Sequence, residues 1–303
     1  MNTAITPQKA TGEPTAIILP TPDTIFLARA ERFEALALHH GLGEWLGFLG
    51  RLTHAQHKAL EAAGEELAAP AAETLERARE HRMPPLSVAT FQRPVVWHDI
   101  LRNIVGDLLE DAPVGARDTL DALLVTSAEE LDKLAEKLLN GEPEGADMAR
   151  LPYIAAAMQV VFTAVASKLD ASALPPMEAH SACPVCGSHP VVSVIRSEGP
   201  TAGRRYVHCS LCNTEWHVPH ATCVTCGDRD KITLHEIDGD DGIAHAESCG
   251  ACESYTKLIV QPKNVRVDPV ADDLASVALD MLVDDAGFVR SEPNYLLIGA
   301  AEE

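Results

Sequence analysis

The chain has 303 residues, enough for one large domain or two ordinary ones, and 46% of them are apolar. Its formal net charge of -21 argues against nucleic acid and anionic membrane surfaces, both of which call for clustered Lys and Arg. The sequence has no run of 18 apolar residues and no signal-peptide pattern in its first 20, so a cytoplasmic protein without membrane insertion is expected.

Residues 1–20 read as a flexible tail. A helical domain is predicted over 21–175. Its first helix opens at Thr21 with Pro22 at the first helical position, and Phe26, Ala30, Phe33 and Ala37 recur at helical spacing. Trp45, Phe48, Leu49 and Leu52 mark a second helix, and "VVWHDILRNIVGDLL" a third. Ser127 with Glu130 has the form of a capping box ahead of Leu131, Leu134 and Leu138. "PYIAAAMQVVFTAVASKL" is apolar nearly all round, which marks it as the central buried helix.

The paired prolines of "DASALPPMEAHSA" read as a linker. Beyond it the pattern changes to short strands between turns. "PVVSVI", "RRYVHC" and "TEWHV" form one set; "DKITLHEI", "GIAHAE" and "SYTKLIVQ" form another. A second linker, "PKNVRVDP", precedes one last helix starting near Asp272 and ending at Gly287. The expected architecture is α+β and multidomain: an all-helical domain, two tandem four-cysteine metal modules at 183–221 and 222–262, and a C-terminal helix with its tail at 263–303.

All eight cysteines fall in four C-x-x-C pairs: Cys183/Cys186, Cys209/Cys212, Cys223/Cys226 and Cys249/Cys252. The second two pairs repeat the first two 40 positions later, so one C-x2-C-x22-C-x2-C unit is duplicated. A tight C-x-x-C turn aims two sulfurs at one point, and a second turn brought alongside by a hairpin completes a tetrahedral four-thiolate site. Gly187 and Gly227 follow the first pair of each unit, where positive φ is wanted. Asn213 tolerates that conformation after the second pair; Glu253 fits it less well, which predicts a distorted fourth turn. A module of about 40 residues buries little surface. A zinc site contributes roughly 10–16 kcal/mol in finger peptides, against whole-domain stabilities of about 5–15 kcal/mol. Each unit is therefore expected to be largely unfolded without metal.

Thioredoxin-like dithiols are the poorer reading, since that fold uses one C-x-x-C at a helix start. Zinc ribbons acting as structural props or as a protein-docking surface fit the spacing. Spacing leaves iron and zinc both open. Eight thiols complete two sites, so His189, His208, His217 and His220 are read as surface or supporting groups, and Trp216 as packing against a metal knuckle. "GLGEWLG" has the wrong final spacing for a dinucleotide loop, and no P-loop, H-E-x-x-H or G-x-S-x-G occurs.

"CPVCGSHPVVSVI", "RRYVHCSLCNTEWHV", "AHAESCGACESYTK" and "VADDLASVALDMLVDDAGFVRSEPNYLLIG" together resemble the FdhE family of formate dehydrogenase accessory proteins. "FLARAERFEALALHHGLGEWLGFLGRLTHAQ" is similar to the same family's amino-terminal region, and the resemblance runs in order from about Thr21 to Gly299. It implies that the four-cysteine modules are rubredoxin-like (zinc-ribbon-like), with one iron at Cys183, Cys186, Cys209 and Cys212 and another at Cys223, Cys226, Cys249 and Cys252, zinc being the alternative metal. It implies a chaperone-like maturation factor with no catalytic residues and no turnover. Its partner would be the catalytic subunit of respiratory formate dehydrogenase, met before twin-arginine export; a homodimer is compatible with it. The rival reading is a rubredoxin-like electron-transfer protein using two iron–tetrathiolate sites.

Overall fold

Nine α-helices, five short 3-10 helices and eight strands make up the regular structure of the described residues, 13–142, 145–174 and 180–297, in this computed structural model. The helical part comprises α1 (Pro22–Ala37), α2 (Gly43–Ala63), α3 (Ala72–Glu80), α4 (Trp97–Leu109), α5 (Val114–Val125), α6 (Ala128–Leu139) and α7 (Leu151–Ala166). The predicted stripes of α1, α2 and α6 are buried at Phe26, Phe33, Leu49, Leu52, Leu131, Leu134 and Leu138. Ser127 caps α6 by accepting from the Glu130 amide. Every side chain of α7 except Pro152 is buried, so this helix is the axis of the helical part. Neither α3 nor α5 is among the helices predicted from the sequence.

The strands are β1 (Ile17–Ile18), β2 (Pro190–Ile195), β3 (Arg205–Cys209), β4 (Glu215–His217), β5 (Ile232–His235), β6 (Ala244–Cys249), β7 (Ser254–Val260) and β8 (Val289–Arg290). They form one sheet in the order β1-β4-β3-β2-β7-β6-β5, with β8 beside β7. Each cysteine unit supplies an antiparallel three-stranded set, β4-β3-β2 and β7-β6-β5. The two sets join head to tail, because β2 of the first pairs in parallel with β7 of the second over Val192–Ile195 and Lys257–Val260. The two units thus share a single backbone ladder. The end of the predicted 1–20 tail is joined to the sheet. Residues 1–12 lie outside the described residues, but Ile17 and Ile18 pair with Trp216 and Glu215 on β4, and Thr15 accepts a hydrogen bond from the Tyr206 hydroxyl.

The single predicted C-terminal helix is two helices, α8 (Pro269–Ala275) and α9 (Val277–Asp285). The cause lies on β7. Lys257, wholly buried, donates from Nζ to the carbonyls of Asp273 and Ser276 at 2.5 and 3.3 Å, and to the Asp280 carboxylate at 2.6 Å. An ammonium that takes helix carbonyls at the junction competes with the helix's own amides there. Apolar periodicity does not register such a buried lysine. Asp268 caps α8 by accepting from Val270 N and Ala271 N, and it also accepts from Arg29 Nε on α1 at 2.9 Å. Arg32 pairs with Asp272 one turn along.

Asp273 sits at the centre of this junction with no exposed surface, facing Lys257 at 3.1 Å and Arg290 at 2.6 Å and accepting from Asn294. Burial alone would raise its pKa, but Arg290 and Lys257 overrule that and hold it below the ordinary range. A lowered folded pKa means stabilisation that is full above about pH 4 and is lost as pH falls through the lowered value. Replacing Asp273 by Asn should leave Lys257 and Arg290 undercompensated. The expected cost is about 3–5 kcal/mol in urea unfolding at pH 7, shrinking as the pH is lowered. A variant as stable as the parent at pH 7 would contradict this reading.

Candidate metal centres

The duplicated cysteines converge as two groups of four. In each group the four Sγ atoms all lie within 4.8 Å of one another. In the first, Cys183–Cys212 and Cys186–Cys209 are 3.5 and 3.4 Å apart; in the second, Cys223–Cys252 and Cys226–Cys249 are both 3.7 Å apart. A disulfide would need about 2.05 Å. A tetrahedron with metal–sulfur bonds of about 2.3 Å has edges of about 3.8 Å. The separations fit a four-coordinate ion, and all eight predicted ligands fall in the predicted groups.

Local chain geometry explains the convergence. Cys183 and Cys223 each donate their amides to a carbonyl five residues on, Ser188 and Asp228, at 2.8 Å. Gly187 and Gly227 return the chain at φ +81° and +80°. A side chain at Gly187 would also meet the Pro84 ring at 3.4 Å. The hairpins β3–β4 and β6–β7 bring up the second pair of each group. Asn213 and Glu253 close those turns, both at φ +57°. The expected distortion at Glu253 is absent: its amide bonds to Cys249 O at 2.8 Å as Asn213 N bonds to Cys209 O at 3.0 Å. The glutamate adopts the left-handed geometry, at a conformational cost, because the turn requires it.

Thiols this close cannot all ionise without a cation. Burial pushes Cys183 and Cys209 well above the ordinary thiol range. It works against Cys186 too, but hydrogen bonds from the three other sulfurs hold that one well below it. One negative charge therefore excludes the next. A divalent ion at the centre removes the conflict and lets four thiolates coexist.

The first group is welded into the helical part. Its four sulfurs are at most 1% exposed and belong to the same apolar cluster as α2, α4 and α7. The carbonyls of Val185 and Cys186 accept from Leu86 N and Val88 N, in the loop before α4. Gln159 of α7 donates to Ser210 O at 2.7 Å and accepts from Gln56 of α2. Asn213 is the hub: its Oδ1 lies 2.8 Å from Arg29 Nη2 and 3.1 Å from His208 Nε2, and its Nδ2 donates to Thr163 of α7. His208 bonds through its other nitrogen to Glu215, which Arg196 also holds. His208 is thus a buried supporting group, while His189 and His220 are exposed and His217 is half-buried. Trp216 is fully buried and donates to His180 O.

The second group is held differently. Cys226 and Cys252 are exposed, while Cys223 and Cys249 are buried. Thr225 bonds to Ser291, and Val289 N to Glu253 O, so β8 supports this group from one side. The contrast between the sites was not foreseen, although the spacer residues carry it. Val185 and Leu211 in the first unit are fully buried; their counterparts 40 residues on, Thr225 and Ala251, are exposed. Arg29, Gln56 and Gln159 were likewise missed, because in the sequence they look like ordinary helix polars.

Asn213 and Glu253 share a φ but not an environment, which predicts opposite responses to glycine. Glu253→Gly should raise stability by about 0.5–1 kcal/mol by removing left-handed strain from an exposed residue. Asn213→Gly should lower it by about 2–3 kcal/mol, because Arg29, His208 and Thr163 lose a shared partner. Thermal midpoints of the two metal-loaded variants check this; shifts of the same sign would refute it.

Family models describe the chain in three consecutive pieces: FdhE, N-terminal over residues 14–179, the FdhE central domain over 182–220 and the FdhE C-terminal domain over 221–297. A "Protein FdhE homolog" from Pectobacterium atrosepticum is 37% identical over 275 residues, covering 90% of this chain and 87% of the relative. One from Haemophilus influenzae is 34% identical over 288 residues, covering 95% and 93%. The crystal structure of the FdhE protein from Pseudomonas aeruginosa superposes with a TM-score of 0.83 at 30% identity, covering 93% of this chain and 98% of that one. With three consecutive family segments and near-full-length relatives, the chain belongs to the FdhE family.

Proposed function

We propose that the chain is an accessory protein for formate dehydrogenase, acting by binding and not by turnover. FdhE membership over nearly the whole chain carries this reading. The partner is the catalytic subunit of a respiratory formate dehydrogenase, met in the cytoplasm before twin-arginine export. The acidic chain and the absence of a helix able to cross a membrane among the described residues suit that setting.

Cys183, Cys186, Cys209 and Cys212 hold one ion in this reading, and Cys223, Cys226, Cys249 and Cys252 another. The ion is iron, with zinc as the alternative. When bound, it would offset half of the thiolate charge of its site and cross-link two hairpins. The chain's own groups do the rest. Gln159, Asn213 and the amides of Leu86 and Val88 fix the first site against α7 and the loop before α4. The helical part and the sheet are thereby presented to a partner as one surface. Electron transfer through both sites is the weaker alternative, because the first has all four sulfurs buried.

Affinity capture tests this reading. The tagged full-length chain should retain the untagged catalytic subunit, and a strain deleted for the gene should lose most formate dehydrogenase activity. Failure to retain the subunit, together with normal activity in the deletion strain, would overturn it.

A further inference from the structure

The two sulfur cages came from one duplicated unit but occupy opposite environments. All four sulfurs of the first lie inside the main apolar core, and the helical part grips both of its turns through Val185 O, Cys186 O, Ser210 O and Asn213. No ligand can reach an ion there without parting the helices from the sheet. The second cage opens to solvent at Cys226 and Cys252. Val224, which is buried, and Glu253 apart, the residues between and beside the cysteines of each pair that face solvent are small and uncharged: Thr225, Gly227, Gly250 and Ala251. They put no steric wall in the path of an incoming ligand.

We propose that the second cage is a metal-exchange site, whereas the first keeps its ion for the life of the fold. This rests on the reading of both groups as metal sites. Exchange is associative. A thiolate or chelating group from outside bonds to the ion at the exposed face as one cysteine sulfur leaves, further incoming donors displace the other three in turn, the freed thiolates take protons from water, and the ion stays divalent throughout. The exchange partner is therefore a soft, sulfur-bearing or chelating carrier of a divalent metal. β8 and the Lys231 carbonyl, which accepts from Gly250 N, support the emptied turns from outside the cage. The parallel ladder between β2 and β7 ties the second unit to the first while its cage is open.

The test uses full-length protein loaded with two equivalents of zinc and mixed with excess 4-(2-pyridylazo)resorcinol. One equivalent per chain should leave in a fast phase, and the second at least about a hundredfold more slowly, at the rate of opening of the core. Iodoacetamide present during the fast phase should label Cys223, Cys226, Cys249 and Cys252 and spare the other four, as read by peptide mass spectrometry. This labelling needs no variant. Cys226→Ser should change the rate or amplitude of the fast phase and leave the slow one unchanged. Release of both equivalents in one phase, labelling spread over both sets, or a Cys226→Ser variant that alters the slow phase and not the fast one would each overturn the proposal. None of these measurements involves formate dehydrogenase, so their failure is distinct from failure to bind that partner.

Discussion

Four thiols inside an apolar core, with neighbouring sulfurs about one tetrahedral edge apart, set the terms for the rest of the molecule. Without a cation the first thiolate formed in such a cage opposes the others. With one, the same sulfurs would cross-link two hairpins of the chain. The cost of taking four thiolates out of water is met at one point, and the apolar packing of α2, α4 and α7 is built around it.

From that point the structure spreads through polar contacts between distant parts of the chain. Asn213 follows the last cysteine of the first cage and gathers Arg29, His208 and Thr163. Arg29 passes the connection on to Asp268, the cap of α8. In the interior of the sheet, Lys257 and Asp273 join β7 to the break between α8 and α9. The shared ladder between β2 and β7 makes the modules one body, so neither unit is the free-standing finger that its length suggests. Metal loss from the second cage should accordingly loosen turns, while loss from the first would open the core.

Features set by local chemistry were legible beforehand. Period-3.6 stripes placed α1, α2, α4, α6 and α7, the duplicated C-x-x-C spacing placed both cages, and turn residues placed the six strands of the two units. Features set by partners far along the chain were not. β1 is two residues long and exists only because β4 offers an edge. The break at Ser276 depends on a lysine 19 residues earlier. The left-handed Glu253 shows a turn's geometry overriding a side chain's preference. The difference between the cages was present in the sequence as Val185 and Leu211 against Thr225 and Ala251, but its meaning emerges only once α7 is seen to cover one of them.

Metal-edge X-ray absorption on anaerobically purified full-length protein, with metal quantified per chain, tests the central claim most directly. Two ions per chain are predicted, each with four sulfur neighbours at about 2.3 Å and no second metal close by. A folded chain without metal, or an ion with mixed oxygen and sulfur ligation, would contradict it.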